Sequence, residues 1–210
     1  MNEPLLIRPF GPVIYQNVVA DDVYQILHNC QRVSQSVNDN VGYLLAGALE
    51  TQLNLIRTPE QNKIIMDHIM THVAMYVDGN LEVVKKKFYI SNNNIWLNVQ
   101  GPGEFNPAHH HSGDISGVIY LQIPKEIKAE NKKKSNSFFE GYGNISFYYG
   151  EDISCTSYYH HYPSTGQILL FPAKLKHAVH PFYSDVQRIS IAFNVFKERD
   201  DSRTDGSSIY

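Results

Sequence analysis

Two periodicities divide this chain. Up to Phe88 apolar residues recur at intervals of three and four, the repeat of a helix with one buried face, and from Asn92 onward they recur at every second position. In the first region Asp22 is placed to cap a helix in which Val23, Ile26, Leu27, Cys30 and Val33 form one stripe, with Gln25 as a capping-box partner. A second start signal is stronger. Thr58, Pro59 and Gln61 combine a capping hydroxyl, a proline at the first helical position and a glutamine at the third, before Ile65, Ile69, Val73, Tyr76 and Val77 line one face. Asp78-Gly79-Asn80 ends that helix or loosens it ahead of the run Leu81 to Phe88. Beyond Asn92, short apolar runs separated by Gly, Pro, Asn and Ser clusters predict the strands of a sandwich or barrel. There is no internal repeat, so the expectation is a mainly β fold preceded by helices.

Length and charge narrow this picture by exclusion. A chain of 210 residues suffices for one domain with a large core. Its 18 basic and 21 acidic side chains give no basic surface that would announce nucleic acid or an anionic membrane. Cys30 and Cys155 are too few for a disulfide framework and lack zinc-ribbon spacing, which fits a reduced, cytoplasmic setting. The N-terminal stretch, interrupted by Pro4, Pro9 and Pro12, reads as neither a signal peptide nor a membrane span. The lysine-rich stretch Lys125 to Asn136 interrupts the strands and reads as a solvated loop or short helix. Ser157 to Pro163, rich in Tyr and His, reads as an edge strand or wall whose role is packing.

The chemistry concentrates at His109, His110 and His111. Imidazoles at i and i+2 of an extended chain point the same way, so His109 and His111 can share a metal while His110 faces the other side. A third ligand from a distant strand, with His177 as the candidate, would complete a three-point face on iron and leave positions open for substrate and oxygen. Asp114 is the rival carboxylate: a turn at Ser112-Gly113 would swing it inward, and otherwise it serves as an acceptor that orients an imidazole. In the run Arg188 to Asn194, Arg188, Ser190, Ala192 and Asn194 share one side and Ile189, Ile191 and Phe193 the other. A polar face turned to solvent gives the same alternation, but Arg188 also offers a permanently charged anchor for an anion. His68 and His72 stand at i and i+4 without a metalloprotease glutamate and read as a helix-surface or partly buried pair, while His160, His161 and His180 carry no pattern that turns them toward a site. No nucleophile elbow, phosphate loop or paired-carboxylate motif competes.

Several segments in order resemble the Fe(II)- and 2-oxoglutarate-dependent dioxygenases, and among them phage-type members distantly similar to prolyl hydroxylases. They are Ile95 to Asn98, Gly103 to His111, Ser116 to Leu121, Leu169 to Pro172, His177, and Arg188 to Ser190. The resemblance implies a double-stranded β-helix (jelly roll, cupin-like) as a single domain over residues 1–210, with a helical support segment at 1–90 and a catalytic core at 91–197. It implies Fe(II) held by His109, His111 and His177, with 2-oxoglutarate and O2 as co-substrates. Arg188 and Ser190 would then grip the remote carboxylate, Tyr120 would hydrogen-bond the co-substrate, and Asn98 would touch co-substrate or iron-bound water. One departure stands out: the superfamily's commoner pattern places a carboxylate where this chain has His111, and a neutral imidazole there leaves the metal site more cationic. The implied reaction is hydroxylation of a small-molecule or peptide substrate, with a peptidyl proline as one candidate, in the cytoplasm (the host's, for a phage-encoded chain). Two other classes remain. A cupin-like metalloenzyme that does not use 2-oxoglutarate would keep the three histidines without needing Arg188, and a non-catalytic jelly-roll binding or virion module would need neither.

Overall fold

Helix formation around residue 59 follows its start signal closely. Thr58 Oγ1 accepts the Gln61 N–H at 3.2 Å while Gln61 Oε1 accepts the Thr58 N–H at 2.9 Å, so two otherwise orphaned donors are satisfied reciprocally. The helix so started, α2 (Pro59–Gly79), buries Ile65, Ile69, Val73, Tyr76 and Val77 as the spacing predicts. It also buries His72 completely, which the reading of a surface or partly buried pair did not foresee. Helix α1 (Asp21–Val37) begins one residue ahead of the expected cap. The Ala20 carbonyl accepts the first helical N–H, from Tyr24 at 2.8 Å, so Asp22 sits inside the first turn, where its carboxylate accepts the Val23 N–H at 2.9 Å and its charge favours the helix dipole. Its buried face is Val23, Leu27, Cys30, Gln31 and Ser34. Val33 is 48% exposed because, at roughly 100° per residue, it falls about a quarter-turn off that face. Ser34 is buried for a reason: its hydroxyl donates to the Cys30 carbonyl and accepts the Ile56 N–H, both at 2.8 Å, which ties α1 to the segment leading into α2.

The computed structural model describes residues 3–9, 11–37, 49–79, 87–133, 141–150 and 157–198. Cys155, most of the run from Leu81 to Phe88, and the end of the lysine-rich stretch at residues 134–136 lie outside them. Among the described residues twelve strands form two antiparallel sheets. The larger contains β1 (Leu5–Ile7), β2 (Ile14–Val18), β3 (Thr51–Asn54), β4 (Phe88–Tyr89), β5 (Ile95–Gln100), β7 (Ile115–Gln122), β10 (Gln167–Pro172) and β12 (Arg188–Lys197). Its order is β1-β2-β10-β7-β12-β5-β3, with β4 paired to the end of β12. The smaller sheet contains β6 (Asn106–His109), β8 (Ile145–Tyr148), β9 (Tyr158–His161) and β11 (Lys176–Val179), in the order β6-β11-β8-β9. Strand β9 is an edge strand, as its sequence suggested.

Both faces of the larger sheet are covered, and they differ in character. Ile189, Ile191, Phe193 and Val195 of β12, with Leu97, Ile119, Ile168 and Leu170 beside them, pack under α1 and α2 in the main core. Gly117 belongs to this side for lack of room, since a Cβ there would lie 2.2 Å from the Phe193 ring. The opposite side faces the smaller sheet, where Val118, Tyr120, Leu169 and Phe171 meet Ile145, Phe147 and Leu175 in a second core. The polar side of β12 therefore turns inward to a space between two sheets and not to solvent, which settles the ambiguity its alternation left.

The lysine-rich stretch forms helix α3 (Lys125–Lys133), anchored by Ile127, which is buried, and by Glu130, which accepts the Tyr183 and Ser184 N–H groups at 3.1 and 3.0 Å. Among the described residues no helix is long and apolar enough to cross a membrane.

Candidate functional site

Pairing between the strands of the smaller sheet brings the first two candidate ligands together. In the β6–β11 register His109 lies directly opposite His177. His111 reaches them differently from the expected strand alternation, because β6 ends at His109 and His111 lies in the connection to β7. There its backbone N–H donates to the Ala173 carbonyl at 2.9 Å, which pins the loop and turns the ring inward, while His110 stays exposed. Ring centroids are 4.3 Å apart for His109 and His177, 5.0 Å for His109 and His111, and 5.1 Å for His111 and His177. One ligand nitrogen from each ring lies within 4.8 Å of the others.

Tautomers follow from the partners. His109 Nδ1 lies 2.7 Å from the Pro107 carbonyl and His177 Nδ1 lies 2.9 Å from the Leu175 carbonyl. A carbonyl only accepts, so both Nδ1 atoms carry the proton and both Nε2 atoms keep their lone pairs. Burial, then the neighbouring imidazoles, push the His111 pKa down to about 4 and that of His177 down to about 3, and burial also lowers His109. All three rings are thus neutral at physiological pH, the form that binds a metal.

The triad lines a cavity of about 310 Å³ between the two sheets. Its floor is a cross-strand row on the larger sheet, in which Gln52 pairs with Asn98, Asn98 with Ser190, and Ser190 with Tyr120. Behind this row lies Arg188, only 4% exposed, its Nη1 donating to Gln100 Oε1 at 2.8 Å and its guanidinium carbon 5.1 Å from the centre of the Tyr120 ring. Among the described residues no carboxylate lies within ion-pair distance of Arg188. Arg188 Nε and the Tyr120 hydroxyl are buried without hydrogen-bond partners there. Burial lowers the arginine pKa and raises that of the phenol, with their mutual attraction a smaller opposing effect. A buried cation with a neutral partner is an expensive arrangement unless an anion joins it.

Asp114 takes no part in either end of the cavity. Its carboxylate accepts the Lys197 N–H at 2.9 Å, its own N–H donates to the Val195 carbonyl at 2.9 Å, and its carbonyl accepts the Ala173 N–H at 3.0 Å. It fastens the start of β7 to the end of β12; the main-chain carbonyls of Pro107 and Leu175 orient the imidazoles in its place. His110 also lines the cavity, and the other histidines are elsewhere. His72 bonds Tyr15 and His68, His160 and His180 share the Ser146 hydroxyl, and His161 bonds Gln167.

Several cavity residues had gone unremarked in the sequence, among them Gln100, Leu49 and Gln52. Gln100 was within reach of strand alternation, two positions beyond Asn98 on the same face. Leu49 and Gln52 line the cavity from the N-terminal half, and nothing local marks them, because the pairing of β3 with β5 spans a long stretch of chain.

The donor set fits two groups: three neutral imidazoles at one end suit a divalent first-row metal, and the unsatisfied guanidinium and phenol at the other suit an anionic organic ligand. Residues 94–194 match the family model described as "Putative 2OG-Fe(II) oxygenase". In fold the chain is similar to a prolyl-4-hydroxylase from Pseudomonas putida, with a TM-score of 0.56, 13% identity, and coverage of 89% of this chain and 92% of that one. It is similar too to a prolyl hydroxylase from Trichoplax adhaerens, in complex with a hypoxia inducible factor oxygen degradation domain peptide fragment, with a TM-score of 0.56, 12% identity, and coverage of 93% and 83%. A third similar structure is AviO1 from Streptomyces viridochromogenes, with a TM-score of 0.56, 13% identity and coverage of 90% of each chain. No curated protein matches the sequence. At such identities the structural likeness speaks for a shared jelly-roll fold, and the match over residues 94–194 identifies that segment as a 2OG-Fe(II) oxygenase domain, the kind of oxidoreductase that works with Fe(II), 2-oxoglutarate and O2.

Proposed function

We propose that this enzyme hydroxylates a C–H bond of a small-molecule or peptide substrate, with iron held by His109, His111 and His177 and 2-oxoglutarate held by Arg188, Ser190 and Tyr120. The observation that carries the reading is the polarity of one cavity, with three convergent neutral imidazoles at one end and a buried, anion-less guanidinium at the other. Bound together, Fe(II), 2-oxoglutarate and O2 supply oxidative decarboxylation to succinate and CO2, coupled to transfer of one oxygen atom into the substrate C–H bond.

The chain's own contribution is binding, orientation and exclusion of water. The imidazoles need lose no proton before they coordinate, since burial already holds them neutral. Arg188 offers two-point recognition of a carboxylate, the Ser190 hydroxyl stands on the same face, and the orphaned Tyr120 phenol donates to the co-substrate. Val118, Ile145 and Phe171 form an apolar wall that limits water at the reacting centre. Asn98, paired across strands with Ser190, stays a contact to co-substrate or iron-bound water, and we assign Trp96 and Gln52, which line the same cavity, to the substrate side. The Trichoplax structure, with its bound peptide, supports a peptide as one candidate substrate. On this reading residues 1–90 are a support segment to the catalytic core at 91–197 within a single domain, and they also contribute Leu49 and Gln52 to its wall.

The test is anaerobic. Adding 2-oxoglutarate to the ferrous protein is expected to produce a weak visible charge-transfer band that His177→Ala abolishes. A wild-type protein that binds iron yet shows no band, and forms no succinate under air, is not using 2-oxoglutarate.

A further inference from the structure

Gln100 is 1% exposed, and each polar atom of its side chain is engaged. Its Oε1 accepts from Arg188 Nη1 at 2.8 Å, and its Nε2 donates to the Glu104 carbonyl at 2.6 Å and the His180 carbonyl at 3.1 Å. Two carbonyls on one side and a guanidinium on the other leave the amide a single orientation. The acceptors are informative: Glu104 stands just before β6, which carries His109, and His180 directly follows β11, which carries His177. One carboxamide thus spans both sheets and ties the arginine to the strands that bear two of the triad's imidazoles. It does so without charge, so Arg188 is held in place and its cation is left for a ligand.

We propose that Gln100 is a positioning residue that fixes the distance from the guanidinium to the histidine triad and so selects the chain length of the 2-oxo diacid bound between them. The inference rests on the function proposed above. A carboxylate at position 100 would satisfy Arg188 internally and compete with the co-substrate, whereas an apolar chain of similar length would free the guanidinium to swing. Tyr120 lies against the guanidinium, its ring centre 5.1 Å from the guanidinium carbon, but neither it nor Ser190 ties the arginine to the segments that flank the triad's strands.

The experiment compares wild type with Gln100→Met and Gln100→Glu, each loaded with Fe(II) without oxygen. The charge-transfer band is used to titrate oxaloacetate, 2-oxoglutarate and 2-oxoadipate, diacids of increasing length, and iron affinity is measured separately. For Gln100→Met, binding of 2-oxoglutarate is expected to weaken about tenfold, in line with loss of a charge-assisted hydrogen bond's restraint, and the preference for it over 2-oxoadipate to shrink at least about threefold. For Gln100→Glu a loss of about a hundredfold is expected, with iron affinity within about twofold of wild type in both variants. A merely structural glutamine would lower stability and iron affinity together and leave the diacid preference alone. If either variant folds cooperatively and keeps both the wild-type affinity and the wild-type length preference, the role assigned to Gln100 is wrong. Arg188→Leu separates the two layers: wild-type diacid binding in that variant overturns the co-substrate assignment itself, and the Gln100 proposal with it.

Discussion

Two groups of imidazoles in this protein are alike in burial and opposite in use. His68 and His72 on α2 are closed on themselves: His72 Nδ1 lies 2.6 Å from the Tyr15 hydroxyl, and its Nε2 lies 3.1 Å from His68 Nε2. His109 and His177 each commit one nitrogen to a main-chain carbonyl and turn the other toward a shared point with His111, with Asn106 Nδ2 3.4 Å from His109 Nε2. Burial lowers the pKa in both groups, to about 4 for His72 as for His111, so a depressed pKa does not distinguish a site from a satisfied core histidine. The distinction is where the second nitrogens point: those of His68 and His72 meet each other, whereas those of the triad converge on one point.

The largest expected effect breaks the comparison directly. His177→Ala should weaken iron binding by about a hundredfold or more while the fold survives, and His72→Ala should leave iron affinity unchanged and cost about 2–4 kcal/mol of stability in denaturant unfolding, through a cavity and an orphaned Tyr15 hydroxyl. Equal iron loss in both variants would mean that the two groups do not divide as described.

Acid sharpens it. A histidine held neutral in the fold stabilises fully above its unfolded pKa near 6.5, and this contribution is lost as pH falls toward its folded value of about 4, because the unfolded chain binds a proton that the fold refuses. The wild type should therefore lose up to about 3 kcal/mol more than His72→Gln across that window, measured by unfolding at pH 7 and pH 4 with iron absent. The metal triad and His68 titrate in both proteins and largely cancel in the difference, whereas parallel pH curves would show His72 protonated in the fold.

Arg188→Leu is expected to keep iron, to lose at least about tenfold in 2-oxoglutarate affinity, and to leave the ligand-free protein as stable as wild type or more so, since it removes a buried charge with no carboxylate partner. The smallest change is a control far from the cavity. Thr58→Ala should cost about 1 kcal/mol by removing half of a capping box, with no change in iron or 2-oxoglutarate binding.

Legibility followed the range of the interactions. The α2 cap and its buried face were readable because every partner lies within a turn or two. The inward face of β12 was readable as alternation, but whether Arg188 and Ser190 met solvent or a cavity was not, because a second sheet assembled from distant strands covers them. Val33 fell off the α1 stripe, and His72 fell on that of α2, for the same reason: which part of an amphipathic arc is buried depends on what lies against it. Asp114 looked like a ligand in one dimension, being near His111 in sequence, and proved to be a main-chain clasp once β12 came alongside.

The amino-acid order alone settled some local matters, the start of α2 and the supply of imidazoles and a guanidinium in a recognisable succession, but it did not show β1, β2 and β3 in the half that read as helical. Their convergence belonged to the tertiary structure. The register that sets His177 against His109, the Ala173 carbonyl that turns His111 inward, and the Gln100 amide that holds Arg188 all join residues far apart in the chain. Propensity acts over a few residues, whereas a site of this kind exists only after two sheets have closed over each other and left polar groups between them with nothing else to bind.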